Sequence, residues 1–189
     1  ITDAGLVHLK GLGKLQSLTL SNQITDAGLV HLRGVVELEI LNLDATRITD
    51  AGLVHLKGMT NLETLSLQFT NITDAGLAHL KGLTKLQELD LKRTQVTDAG
   101  LVHLVGLTNL EELGLPTQIT DAGLVHLKGL TRLERLDLGY CRQITDAGLV
   151  HLKGLARLEY LALPFFDCHL TDAGVAELQK ALPNCRIRK

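Results

Sequence analysis

The chain has 189 residues, 45% of them hydrophobic and 21% charged, which suits an ordinary globular unit with ample material for a core. A formal net charge of −2, with the lysines and arginines spread along the chain, offers no basic field to attract nucleic acid or an anionic lipid surface. No apolar run approaches the roughly 18 residues of a membrane span, no secretory leader is readable at the start, and three cysteines without C-x-x-C spacing argue against a disulfide framework or a zinc site.

The first element is "ITDAGLVHL" from Ile1, and it returns in near-copy at Ile24, Ile48, Ile72, Val96, Ile119, Ile144 and Leu170. The intervals of 23, 24, 24, 24, 23, 25 and 26 residues mark a solenoid, in which each unit buries its apolar face only against its neighbours. The first copy has no strand before its helix, so its flank is expected to be exposed. It is either continuous with further sequence or available for self-association. Because the chain opens inside a repeat and its single methionine is Met59, it reads as part of something longer.

From the second unit onward two periodicities alternate. In "LETLSLQFTNI", Leu62 to Ile72, Leu65 and Leu67 alternate with Thr64, Ser66 and Gln68, which predicts a short strand with one apolar face. "TDAGLAHLKGL" from Thr73 predicts a short helix. Thr73 caps it by accepting from a first-turn amide, while Asp74 and Lys81 complement the two ends of its dipole. Leu77 and Leu80 point inward, and Gly82 supplies a left-handed stop. The next strand must then lie parallel beside the first. Helices are wider than the strand spacing of about 4.8 Å, so the stack curves with its strands on the concave side. The last unit, "LTDAGVAELQKALPNCRIRK", carries Glu177, Gln179 and Lys180 in place of His, Lys and Gly. Its polar helix and basic tail read as a C-terminal cap over 170–189.

The phrase "LxxLxLxxT/CxI" with a period near 24 resembles the leucine-rich repeat family. "ITDAGL" resembles the cysteine-containing subclass of F-box adaptor proteins, best matched by "LERLDLGYCRQITDAGL", and "GLxHLKGLTxLxxLxL" is closer to a bacterial group. Most units place Thr where the subclass has Cys, and no F-box segment is present. The resemblance implies a single α/β domain over 1–189: a right-handed horseshoe solenoid with a parallel sheet of about eight short strands on its concave face and short helices on its convex face. It implies a protein-binding module rather than an enzyme. Cys141 and Cys185 occupy positions that other units fill with Thr or Leu and are expected to be buried; Cys168, in an insertion, is expected to be a free thiol.

Seven copies of the nonapeptide place a histidine at the same position: His8, His31, His55, His79, His103, His126 and His151. At 100° per residue, His8 lies about 130° from the inward direction on one flank and Val7 about 130° on the other, so the His flank of one helix meets the Val flank of the next. That predicts inter-repeat packing with the imidazole tip in water. A metal ladder does not fit, because zinc needs nitrogens at about 2.0–2.1 Å while packed helix axes sit about 8–10 Å apart. Seven aligned imidazoles would repel one another once charged, so acid is expected to lower stability. The column of eight aspartates (Asp3, Asp26, Asp50, Asp74, Asp98, Asp121, Asp146, Asp172) offers one carboxylate per helix start, too few for calcium with its six to eight oxygens. It reads as helix-dipole complementation.

No catalytic constellation, phosphate-cradling loop or cofactor motif is present. Function must therefore lie in the outward strand residues that the repeat leaves free. Early strands present small hydroxyls, the middle presents Glu88, Asp90, Lys92, Glu112, Arg135 and Asp137, and the end presents Tyr160. Tyr140, Phe165 and Phe69 follow their strands on the concave rim, with Arg93 nearby. In the alternative, Phe165 and Phe166 tuck inward to fill the insertion of their lengthened unit. Aromatic and arginine side chains among charges are the composition of interface hot spots. The expected binding set is Tyr160, Tyr140, Phe165, Arg135, Asp137, Glu112, Asp90, Arg93, Glu88 and Lys92. The competing expectation is a structural spacer or end-to-end assembling segment with no concave ligand.

Overall fold

The computed structural model describes residues 2–164 and 169–189. The rim position expected of Phe165, the inward packing of Phe165 and Phe166, and the free thiol of Cys168 lie outside the described residues.

The alternation of outward residue, leucine and outward residue gives eight three-residue strands. They are β1 (Ser17–Thr19), β2 (Ile40–Asn42), β3 (Thr64–Ser66), β4 (Glu88–Asp90), β5 (Glu112–Gly114), β6 (Arg135–Asp137), β7 (Tyr160–Ala162) and β8 (Arg186–Arg188). They form one parallel sheet in strict chain order. The register aligns one central apolar row, from Leu18 through Leu41, Leu65, Leu89, Leu113, Leu136 and Leu161 to Ile187. That row joins the inward leucines of the helices in one continuous core running the length of the stack. β8 corrects the reading of "RIRK" as a solvated tail. Arg–Ile–Arg repeats the outward–apolar–outward pattern of every other strand and pairs with β7.

In the first unit Asp3–Leu9 is a 3-10 helix. Each later TDAGL segment forms a single α turn, α1 (Asp26–Leu29), α2 (Asp50–Leu53), α3 (Asp74–Leu77), α4 (Asp98–Leu101), α5 (Asp121–Leu124) and α6 (Asp146–Leu149), and the last unit extends to α7 (Asp172–Ala181). In most units a tighter 3-10 turn follows, such as Val102–Leu104 after α4, so the expected continuous helix is split. The chain then leaves through three-residue turns closed by leucines, such as Leu83 N–H to the Leu80 carbonyl at 2.9 Å and Leu86 N–H to Leu83 at 3.0 Å. The left-handed stop at Gly82 is therefore corrected. Among the described glycines only Gly11 has positive φ, and a Cβ at Gly82 would meet nothing within 4 Å. Positive φ occurs instead at Ala45, Phe69 and Arg93, each three residues beyond the end of β2, β3 or β4. The threonine after each, Thr46, Thr70 and Thr94, is buried and donates its hydroxyl to the carbonyl three residues back at 2.6–2.7 Å. That bond closes a turn which L-residues otherwise disfavour.

The threonine caps form as expected at Thr25, Thr49, Thr73, Thr120, Thr145 and Thr171 but not at Thr2 or Thr97. The aspartates do more than complement dipoles. Each carboxylate from Asp3 to Asp146 crosses to the next unit, accepting from the backbone N–H of its threonine at 2.7–2.9 Å. The other oxygen accepts that threonine's hydroxyl at 2.5–2.7 Å. Seven rungs thus tie the helical side together. The hydrogen bonds from Thr171 hold the Asp146 carboxyl below its ordinary range. The DAGL glycine of the next unit sits directly on the rung, because a Cβ there would press into the carboxylate.

Burial sorts the helix faces as the helical wheel predicts, with inward leucines such as Leu77 and Leu80 buried, the valines exposed and the imidazoles, apart from exposed His8, half-buried. The His103 Nδ1, however, is buried without a hydrogen-bond partner rather than set in water. His55 and His103 have lowered pKa values, first because burial disfavours the cation and then because of Arg33 and Lys81 respectively. For these two, burial and a neighbouring unit's cation outrank repulsion between histidines. The Arg33 Nε–H donates to His55 Nδ1 at 3.0 Å, a bond that needs the neutral ring. Cys141 and Cys185 are buried and unpaired. Burial pushes their thiols up to about 12 and about 11, and the Cys141 Sγ–H donates to the Pro116 carbonyl at 3.2 Å.

Candidate functional site on the concave face

The register lays the outward residues in rows across the sheet. One row runs Ser17, Ile40, Thr64, Glu88, Glu112, Arg135, Tyr160, Arg186; the next runs Thr19, Asn42, Ser66, Asp90, Gly114, Asp137, Ala162, Arg188. Charges face one another in the middle of these rows. Arg135 pairs with its neighbour Glu112 at 2.8 Å.

The unit containing β5 is the low point of the surface. Its interval is 23 residues rather than 24, and "GLPTQI" lacks the rim residue that Ala45, Phe69, Arg93 and Tyr140 supply in their own units. Its central outward residue is Gly114, where a Cβ would meet Asp90 Oδ1 at 2.8 Å and Lys92 Cε at 3.1 Å. Two contacts span this furrow. Lys92 Nζ reaches Asp90 at 3.1 Å in its own unit and Asp137 at 3.1 Å two units away. Burial lowers the Lys92 pKa, but the hydrogen bonds and charges of Asp90 and Asp137 outweigh it and leave the ammonium above its ordinary value. Over the rim, the Arg93 guanidinium lies 4.8 Å from the Tyr140 ring centroid, a cation–π contact.

Two hollows flank these bridges. The first, about 320 Å³, lies between Thr64 and Tyr160 with Glu88, Glu112, Arg135, Asp90 and Asp137 along its walls. The second, about 400 Å³, lies toward the C-terminal end and is lined by Asp137, Gly139, Tyr140, Arg142, Tyr160, Ala162 and Arg188. Tyr160 and Asp137 border both.

Nine of the ten residues expected from the sequence therefore sit together around β4–β7, and Phe165 lies outside the described residues. Three contributors escaped the sequence reading. Arg188 was assigned to a tail, although its alternation with Ile187 is a strand signal. Arg142 follows the buried Cys141 and carried no periodic cue. The openings at Gly114 and Gly139 could be read only from which neighbours reach across them. Phe69 is 61% exposed on the rim, on the side of β4 away from the second hollow. Among the described residues no group of three His, Cys, Asp or Glu side chains is placed to hold a metal ion, and no helix is long and apolar enough to cross a membrane.

A family model described as leucine rich repeat matches residues 36–96 and 60–117, and a second of the same description matches 130–152. No curated protein matches significantly. Among solved structures, an internalin from Listeria monocytogenes (inlF) is 27% identical with a TM-score of 0.78, over 96% of this chain and 49% of its own. Internalin C2 from the same organism is 26% identical with a TM-score of 0.61, over 100% and 84%. A leucine-rich repeat protein of Leptospira interrogans, at 19% identity and a TM-score of 0.63 over 97% and 51%, shares the fold. The chain spans about half the length of the first of these.

Proposed function

Because the chain belongs to the leucine-rich repeat family, whose bacterial relatives share its fold and typically serve as non-enzymatic protein-binding modules, we propose that it grips a protein partner with its concave face, mainly over β4–β8. The observation that carries this reading is the pair of bridges across β5, Lys92 to Asp137 and Arg93 over Tyr140. They fix charged and aromatic groups in place beside open hollows before any partner arrives, so less side-chain freedom is lost on binding. Tyr160, Tyr140 and Arg135 are the residue types that dominate interface energetics.

The test compares partners captured by the wild-type chain with those captured by a Tyr140→Ala, Tyr160→Ala, Arg135→Ala variant and by a Lys128→Ala, Lys153→Ala variant on the helical side. A partner held by the wild type and the second variant but lost by the first supports the reading. Equal capture by all three would remove it. A second reading, end-to-end assembly, draws on the first unit, where Leu12 is 49% exposed while its counterparts Val35, Met59 and Leu83 are buried. Sedimentation at increasing concentration decides it, and a persistent monomer dismisses it.

A further inference from the structure

Resting on that concave-face reading, we propose that the hollow between Thr64 and Tyr160 seats a basic segment of the partner protein, with one lysine or arginine side chain entering beside Glu88 and Glu112. The hollow measures about 320 Å³, and small hydroxyl residues, Thr64 and Ser66, line its β3 side while Tyr160 lines its β7 side. An aromatic ring there suits both the aliphatic stem and the charge of a long cation.

The charge balance selects the partner. Glu88, Asp90, Glu112 and Asp137 line the hollow against only Lys92 and Arg135. Both cations are committed. Lys92 Nζ lies 3.1 Å from Asp90 and 3.1 Å from Asp137, and Arg135 lies 2.8 Å from Glu112. Glu88 is left over: it is exposed, and no lysine or arginine of the described residues pairs with it. Positions 1 and 165–168, outside those residues, hold no lysine or arginine either. The register makes this arrangement costly. Glu88 stands directly beside Glu112 on the next strand, with uncharged Thr64 on its other side. Neighbouring strands are about 4.8 Å apart, and like charges at that spacing repel. Stacking alone would do better with a neutral residue at 88, such as the Ser17, Ile40 and Thr64 that hold the earlier places of the row. A cation brought by the partner relieves the repulsion and meets a carboxylate that is not yet engaged. Among the described residues no three acids are placed to hold a metal ion, which favours a cation carried on a flexible side chain.

A phage-displayed library of random dodecapeptides is selected on the whole chain, and the consensus peptide is titrated calorimetrically. The targets are the wild type, Glu88→Gln, Glu88→Arg, Tyr160→Ala and, as a charge-matched control on the helical side, Glu177→Arg. The expected consensus contains Lys or Arg. Its affinity should fall about tenfold in Glu88→Gln, the loss of one hydrogen bond to a charged group. It should fall further in Glu88→Arg, hold in Glu177→Arg, and weaken as salt rises. The melting temperature of Glu88→Gln should not fall, because Glu88 holds nothing in its own chain; a clear fall would make Glu88 structural and overturn the proposal. A consensus without Lys or Arg, or one that Glu88→Gln leaves unweakened, overturns the basic segment; if that peptide is still lost on Tyr160→Ala, the concave reading stands. Binding indifferent to every concave substitution overturns both. No enrichment above background also counts against the basic segment.

Discussion

Replacing Asp98 tests how far the helical side depends on its rungs. The carboxylate accepts the Thr120 N–H at 2.9 Å and the Thr120 hydroxyl at 2.6 Å, and it stands in the first turn of α4. A hydrogen bond to a charged group contributes about 1.5–3 kcal/mol, and a first-turn acid about 0.3–1 kcal/mol. The site is only half-buried, so water can take over part of what is lost. Asp98→Ala should therefore cost about 3 kcal/mol, a sizeable share of the roughly 5–15 kcal/mol that holds a domain together. Asp98→Asn should recover more than half of that. Its carbonyl still accepts the Thr120 N–H, and its amide can donate to the Thr120 oxygen. Urea titration reads the difference through the midpoint, and the melting temperature should drop by about 6–12 °C for the alanine variant. Asp98→Ala and Thr120→Ala share the rung, so the double variant should lose less than the two single losses added. Gly123→Ala should destabilise despite alanine's better helix propensity, because its Cβ would press into Asp98. That penalty should largely vanish in the Asp98→Ala background. A cost for Asp98→Ala below about 0.5 kcal/mol, or strict additivity with Thr120→Ala, would refute the rung as a stabilising device.

The bridge over β5 should behave differently. Lys92 and its partners are a quarter to a third exposed, and ion pairs of that kind contribute about 0–1 kcal/mol. Lys92→Met should thus leave the urea midpoint nearly unchanged while weakening partner binding, and a loss above about 3 kcal/mol would make the bridge structural. Acid should lower the melting temperature through His55 and His103. An unfolded imidazole takes its proton near pH 6.5 and these two folded ones only below that, so stability is complete above pH 6.5 and is lost as pH falls toward the folded values. Melts at pH 7.5 and 5.5 check this, with a His55→Gln, His103→Gln variant showing a smaller drop; identical curves would contradict it. In a Cys168→Ser background, a thiol reagent at pH 8 should leave Cys141 and Cys185 unmodified until the protein is unfolded, since burial holds both thiols neutral. Rapid labelling of either in the native state would show that the stack opens there.

Much of this molecule was legible before any coordinates. A period near 24 dictates stacked identical units, and alternation about each strand leucine fixes which residues face outward. The spacing of Leu77 and Leu80 fixes which helix face is buried and leaves the histidines between core and water. These are local periodicities, and in a solenoid a local rule applied eight times becomes the global fold. The tertiary structure decided what meets across units. An aspartate at a helix start has a sufficient local explanation, so its partner in the next unit, 22 to 25 residues on, leaves no mark in one repeat read alone. Lys92 and Asp137 are 45 residues apart and touch only because Gly114 leaves nothing between them. Arg188 joins the concave face because an open strand edge at β7 was there to be paired. Sequence period determines direction and burial. Side-chain reach across the gaps between units depends on the distances that only stacking sets, and the charges and hollows of the proposed site arise there.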